Sequence, residues 1–173
     1  MFPVLESVTA YALTAVETVG LPVLVFLFVL KGALVGKVVP TSVVLPGYVL
    51  ATGATYRNAL LVVALVTVAH LVGQLLIYGG SRRYGETLFE AVPYVNVDVE
   101  SGQLQRLDQW FNRYGGVAVF ATNVVPWSRG LIAIPAGMSS YPVGRYTLHT
   151  TTSTFICHGV YAVAPVVGLG LLS

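Results

Sequence analysis

Five stretches of the chain carry no charged side chain: between Glu17 and Lys31, Lys37 and Arg57, Arg57 and Arg82, Arg113 and Arg129, and beyond Arg145. A charge at the centre of a bilayer costs about 3 kcal/mol or more, so these gaps mark the segments that lipid can solvate. Asn58 to Ser81 and Tyr146 to Ser173 are long enough to cross a hydrocarbon layer of about 30 Å at about 1.5 Å per residue. The apolar run from Thr9 to Leu30 also spans if Glu17 lies near the headgroups or faces protein. No small-residue cleavage site follows it, which predicts a retained helix rather than a signal peptide.

Two further apolar stretches do not read as simple spans. Lys37 to Gly53 contains Pro40 and Pro46-Gly47, and Asn123 to Met138 contains Pro126, Gly130, Pro135 and Gly137. Proline and glycine at that density break helices, and broken backbone at membrane depth survives only where protein or an aqueous cavity satisfies it. Both stretches are therefore expected to be re-entrant hairpins, with kinked ordinary helices as the alternative. Lys37-Val-Val-Pro-Thr-Ser42 and Asn123-Val-Val-Pro-Trp-Ser128 share the pattern x-V-V-P-x-S, each followed by a second proline and a glycine. Paired breaks in two halves are the signature of an inverted-repeat transporter with its binding site where the breaks meet.

The expected fold is thus an all-α polytopic membrane protein, an inverted repeat of re-entrant hairpin plus transmembrane helix. All 173 residues form one membrane domain: a first half over 1–80 with its hairpin at about 34–54, a linker over 81–114, and a second half over 115–173 with its hairpin at about 116–140. Arg82, Arg83, Arg106, Arg113 and Arg145 gather on the linker side, against Lys31, Lys37 and Arg57 on the other. By the positive-inside rule the linker and N-terminus are cytoplasmic and the C-terminus is outside. Ser101 begins a short helix whose Leu104, Leu107, Phe111 and Tyr114 recur every three or four residues, an amphipathic helix on the inner leaflet.

Composition narrows the class. Charged residues make up 9% and hydrophobic residues 55% of the chain, with a mean hydropathy of +0.78, so lipid is the main solvent and the location is a cell membrane. A net charge of +2 with scattered basic residues excludes nucleic acid as a partner. The lone Cys157 excludes a disulfide framework. His149 and His158 lack metal-ligand spacing and a companion carboxylate, so neither a metal site nor any other cofactor is expected. An enzyme is not expected either, because no acid lies beside Ser42, Ser128 or Cys157.

Arg129 is the leading site candidate. A guanidinium in a broken, otherwise uncharged stretch is costly unless it meets a cavity or an anion, and its planar fork suits phosphate. The alternative is structural pairing with Glu17. A pocket between the hairpins would present Arg129, Lys37, Ser42, Asn123 and Ser128 at the breaks made by Pro40, Pro126 and Gly137. Lys31 and Lys37 have the alternative of anchoring helix ends at the interface. Tyr11, Tyr56, Tyr78, Tyr84, Tyr94, Tyr114, Tyr141 and Tyr146 recur near the span ends, and most of them are assigned to the aromatic belt. The run Thr150 to Thr154 would be costly facing lipid and is expected to face the bundle or a cavity.

These residues resemble the DedA (SNARE-associated, VTT-domain) family. Gly73-Gln-Leu-Leu-Ile-Tyr78-Gly-Gly-Ser-Arg82-Arg-Tyr-Gly85 is similar to G-D-x-x-x-Y-x-x-G-R-x-x-G. Phe111-Asn-Arg-Tyr-Gly115, Ala118-Val-Phe120, Asn123-Val-Val-Pro-Trp-Ser-Arg129, Ala136-Gly-Met138 and Arg145-Tyr146 resemble F-x-K-Y-G, A-V-F, R-F-x-P-G-x-R, A-G-M and R-F, and Pro40 to Pro46 resembles P-S-E-V-I-L-P. The resemblance runs from about Gly20 to Gly170. It implies two re-entrant hairpins and movement of polyprenyl phosphate or phospholipid between leaflets as a flippase or scramblase, in bacteria often proton coupled. The partners are then an anionic lipid such as polyprenyl phosphate and the surrounding membrane lipids, with a homo-oligomer left open; the alternative cargo is a small ion or solute. Ser42 and Gln74 stand where the family has carboxylates, and Asn123 replaces the first hairpin arginine. His70 and Glu17 remain as coupling candidates, and a lone intramembrane histidine that simply hydrogen-bonds a neighbouring helix is the plainer alternative for His70.

Overall fold

The computed structural model describes residues 20–34, 40–85, 101–124, 130–139 and 141–172, with side-chain detail left out at 101–108, 110, 112 and 172. These residues form six helices and, among themselves, no strand: α1 (Leu21–Gly32), α2 (Thr41–Ala51), α3 (Tyr56–Tyr84), α4 (Ser101–Val124), α5 (Ala133–Met138) and α6 (Val143–Leu172). Helices α3 and α6, of 29 and 30 residues, exceed the length a bilayer requires. The Thr55 hydroxyl starts α3 by accepting from the Asn58 N–H, and Gly85 at φ +56° ends it after Arg82 and Arg83.

The pairing of α3 with α6 is inverted relative to a water-soluble protein. Leu60, Leu61, Leu65, Val68, Val72 and Leu76 of α3 are exposed, as are Leu148, Ile156, Val160 and Val167 of α6. Thr67, His70, Gln74 and Ser81 of α3 are buried, as are Thr150, Ser153, Thr154 and His158 of α6. Apolar residues outside and polar residues inside is the arrangement that lipid solvates. Thr152, which does face outward, returns its hydroxyl to the Leu148 carbonyl at 2.9 Å.

Helices α1 and α2, of 12 and 11 residues, are about 18 and 16 Å long and cannot cross a bilayer. Helix α1 begins at Leu21 after Gly20, at φ +77° and ψ −142°, with Pro22 in its first turn. Of the apolar run expected to be helical from Thr9 to Leu30, Leu21 to Leu30 lie in α1, and Thr9 to Val19 lie outside the described residues. Neither Pro/Gly-rich stretch forms one continuous spanning helix. The first is helical from Thr41, and in the second α4 ends at Val124 while Gly130 to Ile132 form turns before α5.

Helix α4 changes direction at Gly115 (φ 25°, ψ −102°), which separates 101–114 from 116–124. Phe111 is buried against Tyr141, with ring centroids 5.2 Å apart. Tyr114, three residues on, is exposed, with the Arg113 guanidinium 5.4 Å from the centre of its ring.

Packing relates the two halves. Helix α1 lies on α3 and α4 on α6, while α2 packs on α6 and α5 on α3. The α1–α3 contact depends on glycine: a Cβ on Gly73 would fall on the Val29 carbonyl, and one on Gly32 on the His70 carbonyl. Gly73→Ala is therefore expected to lower the thermal midpoint in detergent by several degrees, consistent with about 1–3 kcal/mol of overpacking. Gly79→Ala, where an added Cβ meets nothing within 4 Å, should leave it unchanged.

Candidate functional site

The facing polar residues follow from helical spacing. On α3, Thr67, His70, Gln74, Tyr78 and Ser81 recur at intervals of three and four, and on α6, Tyr146, Thr150, Thr154 and His158 recur at intervals of four. The antiparallel helices join these rows into one seam. Thr67 Oγ1 lies 3.3 Å from His158 Nδ1 at one end, and the Tyr78 and Tyr146 rings stack at 4.9 Å at the other. His70, the central residue of α3, and His158, at the middle of α6, meet edge to face with centroids 5.6 Å apart.

Gln74 is the node of the seam. The Tyr146 hydroxyl donates to Gln74 Oε1 at 2.7 Å, Gln74 Nε2 donates to Asn123 Oδ1 at 3.0 Å, and His70 Nε2 lies 3.0 Å from the same Gln74 nitrogen. The orientation of each amide follows from its acceptors. Asn123 Nδ2 donates to the Val119 carbonyl at 3.0 Å, so Asn123 must turn Oδ1 toward Gln74, and Gln74 must answer with its NH2. An amide nitrogen can only donate. His70 Nε2 is therefore an acceptor, and His70 is a neutral imidazole with its proton on Nδ1.

The seam is asymmetric along its length. Beyond Gln74 it continues through Tyr146 and Tyr78, whose hydroxyl donates to the Tyr141 carbonyl at 2.7 Å and accepts from Arg82 Nη1 at 2.8 Å. Beyond His158 it meets an apolar cluster of Leu24, Phe28, Val44, Leu45, Val63 and Val166. Burial holds the Tyr141 phenol above its ordinary pKa, an effect partly offset by Arg145. The Ser81 and Thr154 hydroxyls are buried with no hydrogen-bond partner among the described residues.

The structure brings together two of the predicted site residues, Asn123 and His70, through Gln74. Gly137 is buried where α5 meets α3, and a Cβ there would fall on the Tyr78 carbonyl. Pro40 precedes α2 and Ser42 is exposed on that helix. Lys37, Pro126, Ser128, Arg129 and Glu17 lie outside the described residues. The chain on either side of the breaks does converge: Gly130 is buried against Leu34, and Leu34 packs with Ile134, Ile77 and Met138. Tyr78, Tyr141 and Tyr146 are buried rather than in an aromatic belt, because each is held by the seam or by Phe111. Of the run Thr150 to Thr154 expected to face the bundle or a cavity, Thr150, Ser153 and Thr154 are buried, whereas Thr151 is half-buried and Thr152 is exposed. Among the described residues no three His, Cys, Asp or Glu side chains could share a metal ion.

Comparison with known proteins agrees with this architecture. The VTT domain family matches residues 39–165. Undecaprenyl phosphate transporter A of Staphylococcus aureus (strain NCTC 8325 / PS 47) is 29% identical over 122 residues, which cover 69% of this chain and 60% of that protein. The uncharacterized membrane protein YkoX of Bacillus subtilis (strain 168) is 32% identical over 116 residues, covering 65% of this chain and 50% of that protein. The match thus spans between half and three fifths of the length of these relatives. No solved structure matches the chain significantly. Matched over most of its length and built from long apolar helices around a polar seam, the chain belongs to the VTT-domain family, of the DedA type its motifs resemble, and is a multi-pass membrane protein.

Proposed function

We propose that the protein transports an anionic lipid, polyprenyl phosphate or phospholipid, between leaflets through a site where two inverted hairpins meet. The first hairpin, expected at about 34–54, is read here as α1 with α2, taking in residues expected in the preceding span, and the second, expected at about 116–140, as residues 116–124 with α5. The observation that carries this reading is the meeting of their inner ends: Leu34, which follows α1, and Gly130, which precedes α5, lie against each other in a cluster that also takes in Ile77 of α3. The exchanged packing supports the inverted repeat, since α2 lies on the span of the second half and α5 on that of the first.

An anion site fits the same place. Arg129 immediately precedes buried Gly130 in the chain, and Lys37 lies three residues beyond Leu34. The N-terminus of α2 carries no side-chain cap, so its first amides and positive dipole end serve an anionic headgroup beside Pro40 and Ser42. Asn123, the penultimate residue of α4, orders the start of the second break through Gln74. The relative named as an undecaprenyl phosphate transporter supports a polyprenyl phosphate cargo, and the names of the family and relative point to a transporter rather than an enzyme. The uncharged, hydroxyl-rich seam also suits a small ion or solute as the second reading.

Reconstituted vesicles separate the two cargoes. Movement of a fluorescent anionic lipid between leaflets, faster than in protein-free vesicles and without dye-reported ion flux, is the expected result. Ion flux without lipid movement would overturn the lipid reading in favour of the second. Because Ser42 and Gln74 replace carboxylates, the movement should depend little on an imposed proton gradient, and its remaining pH dependence should vanish in His70→Gln.

A further inference from the structure

We propose that His70 and His158 form a proton-binding site at the centre of the membrane, and that loading it turns over the Gln74 amide and releases Asn123. The meaning of this step for transport rests on the reading above, but the site itself does not. Neutral His70 accepts from Gln74 Nε2 at 3.0 Å, so a proton added to His70 Nε2 would point directly at an amide N–H. The conflict is relieved when Gln74 turns over. Its Oε1 then accepts from the imidazolium, its NH2 faces the Tyr146 oxygen, and the donor held by Asn123 Oδ1 is lost. The proton comes from water and no covalent bond changes.

The pair behaves as one site. Two imidazolium ions with centroids 5.6 Å apart in a low-dielectric interior repel, so the pair takes up one proton rather than two. Among the described residues, these groups face the pair from each element packed against it. Helix α3 supplies Thr67 and Gln74, and α6 supplies Tyr146, while His149 packs against Gly116. Helix α1 supplies Phe28, with its ring 5.0 Å from that of His158, and Lys31, one residue from the Gly32 contact with the His70 backbone. Helix α2 supplies Tyr48, packed in the apolar cluster, α4 supplies Asn123, and α5 has no ionisable residue. Asn123 sits at the end of α4 next to the break, so proton loading is transmitted to the second hairpin.

The test is a titration of 15N-histidine- and 15N-asparagine-labelled protein in lipid nanodiscs, followed by NMR over about pH 4.5 to 8.5, the range in which imidazole titrates. At the alkaline end, His70 should show the Nδ1–H tautomer. On acidification, His70 and His158 should change with one shared midpoint, and the Asn123 side-chain amide should move at that same midpoint. In His158→Gln the His70 midpoint should shift. The proposal is overturned by the Nε2–H tautomer at His70, by an Asn123 amide that stays put while His70 titrates, by a His70 midpoint indifferent to His158→Gln, or by no titration in the range. The wild-type titration decides the matter even if His158→Gln fails to fold. It contains no cargo, so its failure and failure of the lipid reading are separate results.

Discussion

Replacing Arg129 with alanine is expected to weaken binding of anionic lipid tenfold or more while the protein still folds. A guanidinium holding a phosphate makes charge-assisted bonds worth about 1.5–3 kcal/mol, and more where water is scarce. Arg129→Lys should restore only part of the affinity, because a point charge replaces a two-pronged donor. Native mass spectrometry of the three proteins with anionic and zwitterionic lipid, together with thermal melting in detergent, checks the expectation. If Arg129 instead balances Glu17, the double variant Arg129→Ala, Glu17→Ala should fold and bind normally. Undiminished anionic-lipid affinity in a folded Arg129→Ala protein would remove the phosphate site.

Gln74→Leu carries the second large effect, and it falls on stability. The substitution strips partners from Tyr146, Asn123 and His70 at once, at about 1–3 kcal/mol for each buried group left unsatisfied. Detergent unfolding should show a loss well beyond that of Gly79→Ala. The three bonds share one side chain, so adding Tyr146→Phe to Gln74→Leu should cost less than the sum of the two single losses. Strict additivity would mean that Tyr146 and Gln74 act independently.

The two spanning helices were legible from charge gaps alone, within three residues at each end, because lipid imposes both length and composition on them. The polar seam was half legible. The spacing of Thr67, His70, Gln74 and Tyr78, and that of Tyr146, Thr150, Thr154 and His158, marks one face of each helix. What spacing cannot give is the partner across the interface: Gln74 and Asn123 lie 49 residues apart and Gln74 and Tyr146 lie 72 apart. His158 was weighed only as a metal ligand beside His149 on its own helix, whereas its neighbours are Thr67, His70 and Phe28 on other helices. Gln74 drew notice as a missing carboxylate, and its role as a neutral two-way connector emerges only with the Val119 carbonyl in place.

The inverted hairpins are the central claim, and sidedness tests them most directly. In a Cys157→Ser background, single cysteines at the exposed positions Pro22, Thr52, Tyr114 and Pro142 can be labelled with a membrane-impermeant maleimide in sealed vesicles of known orientation. Pro22→Cys and Thr52→Cys should be reached from one face, and Tyr114→Cys and Pro142→Cys only from the opposite face. Labelling of Pro22→Cys and Thr52→Cys from opposite faces, or of all four positions from the same face, would contradict the inverted repeat.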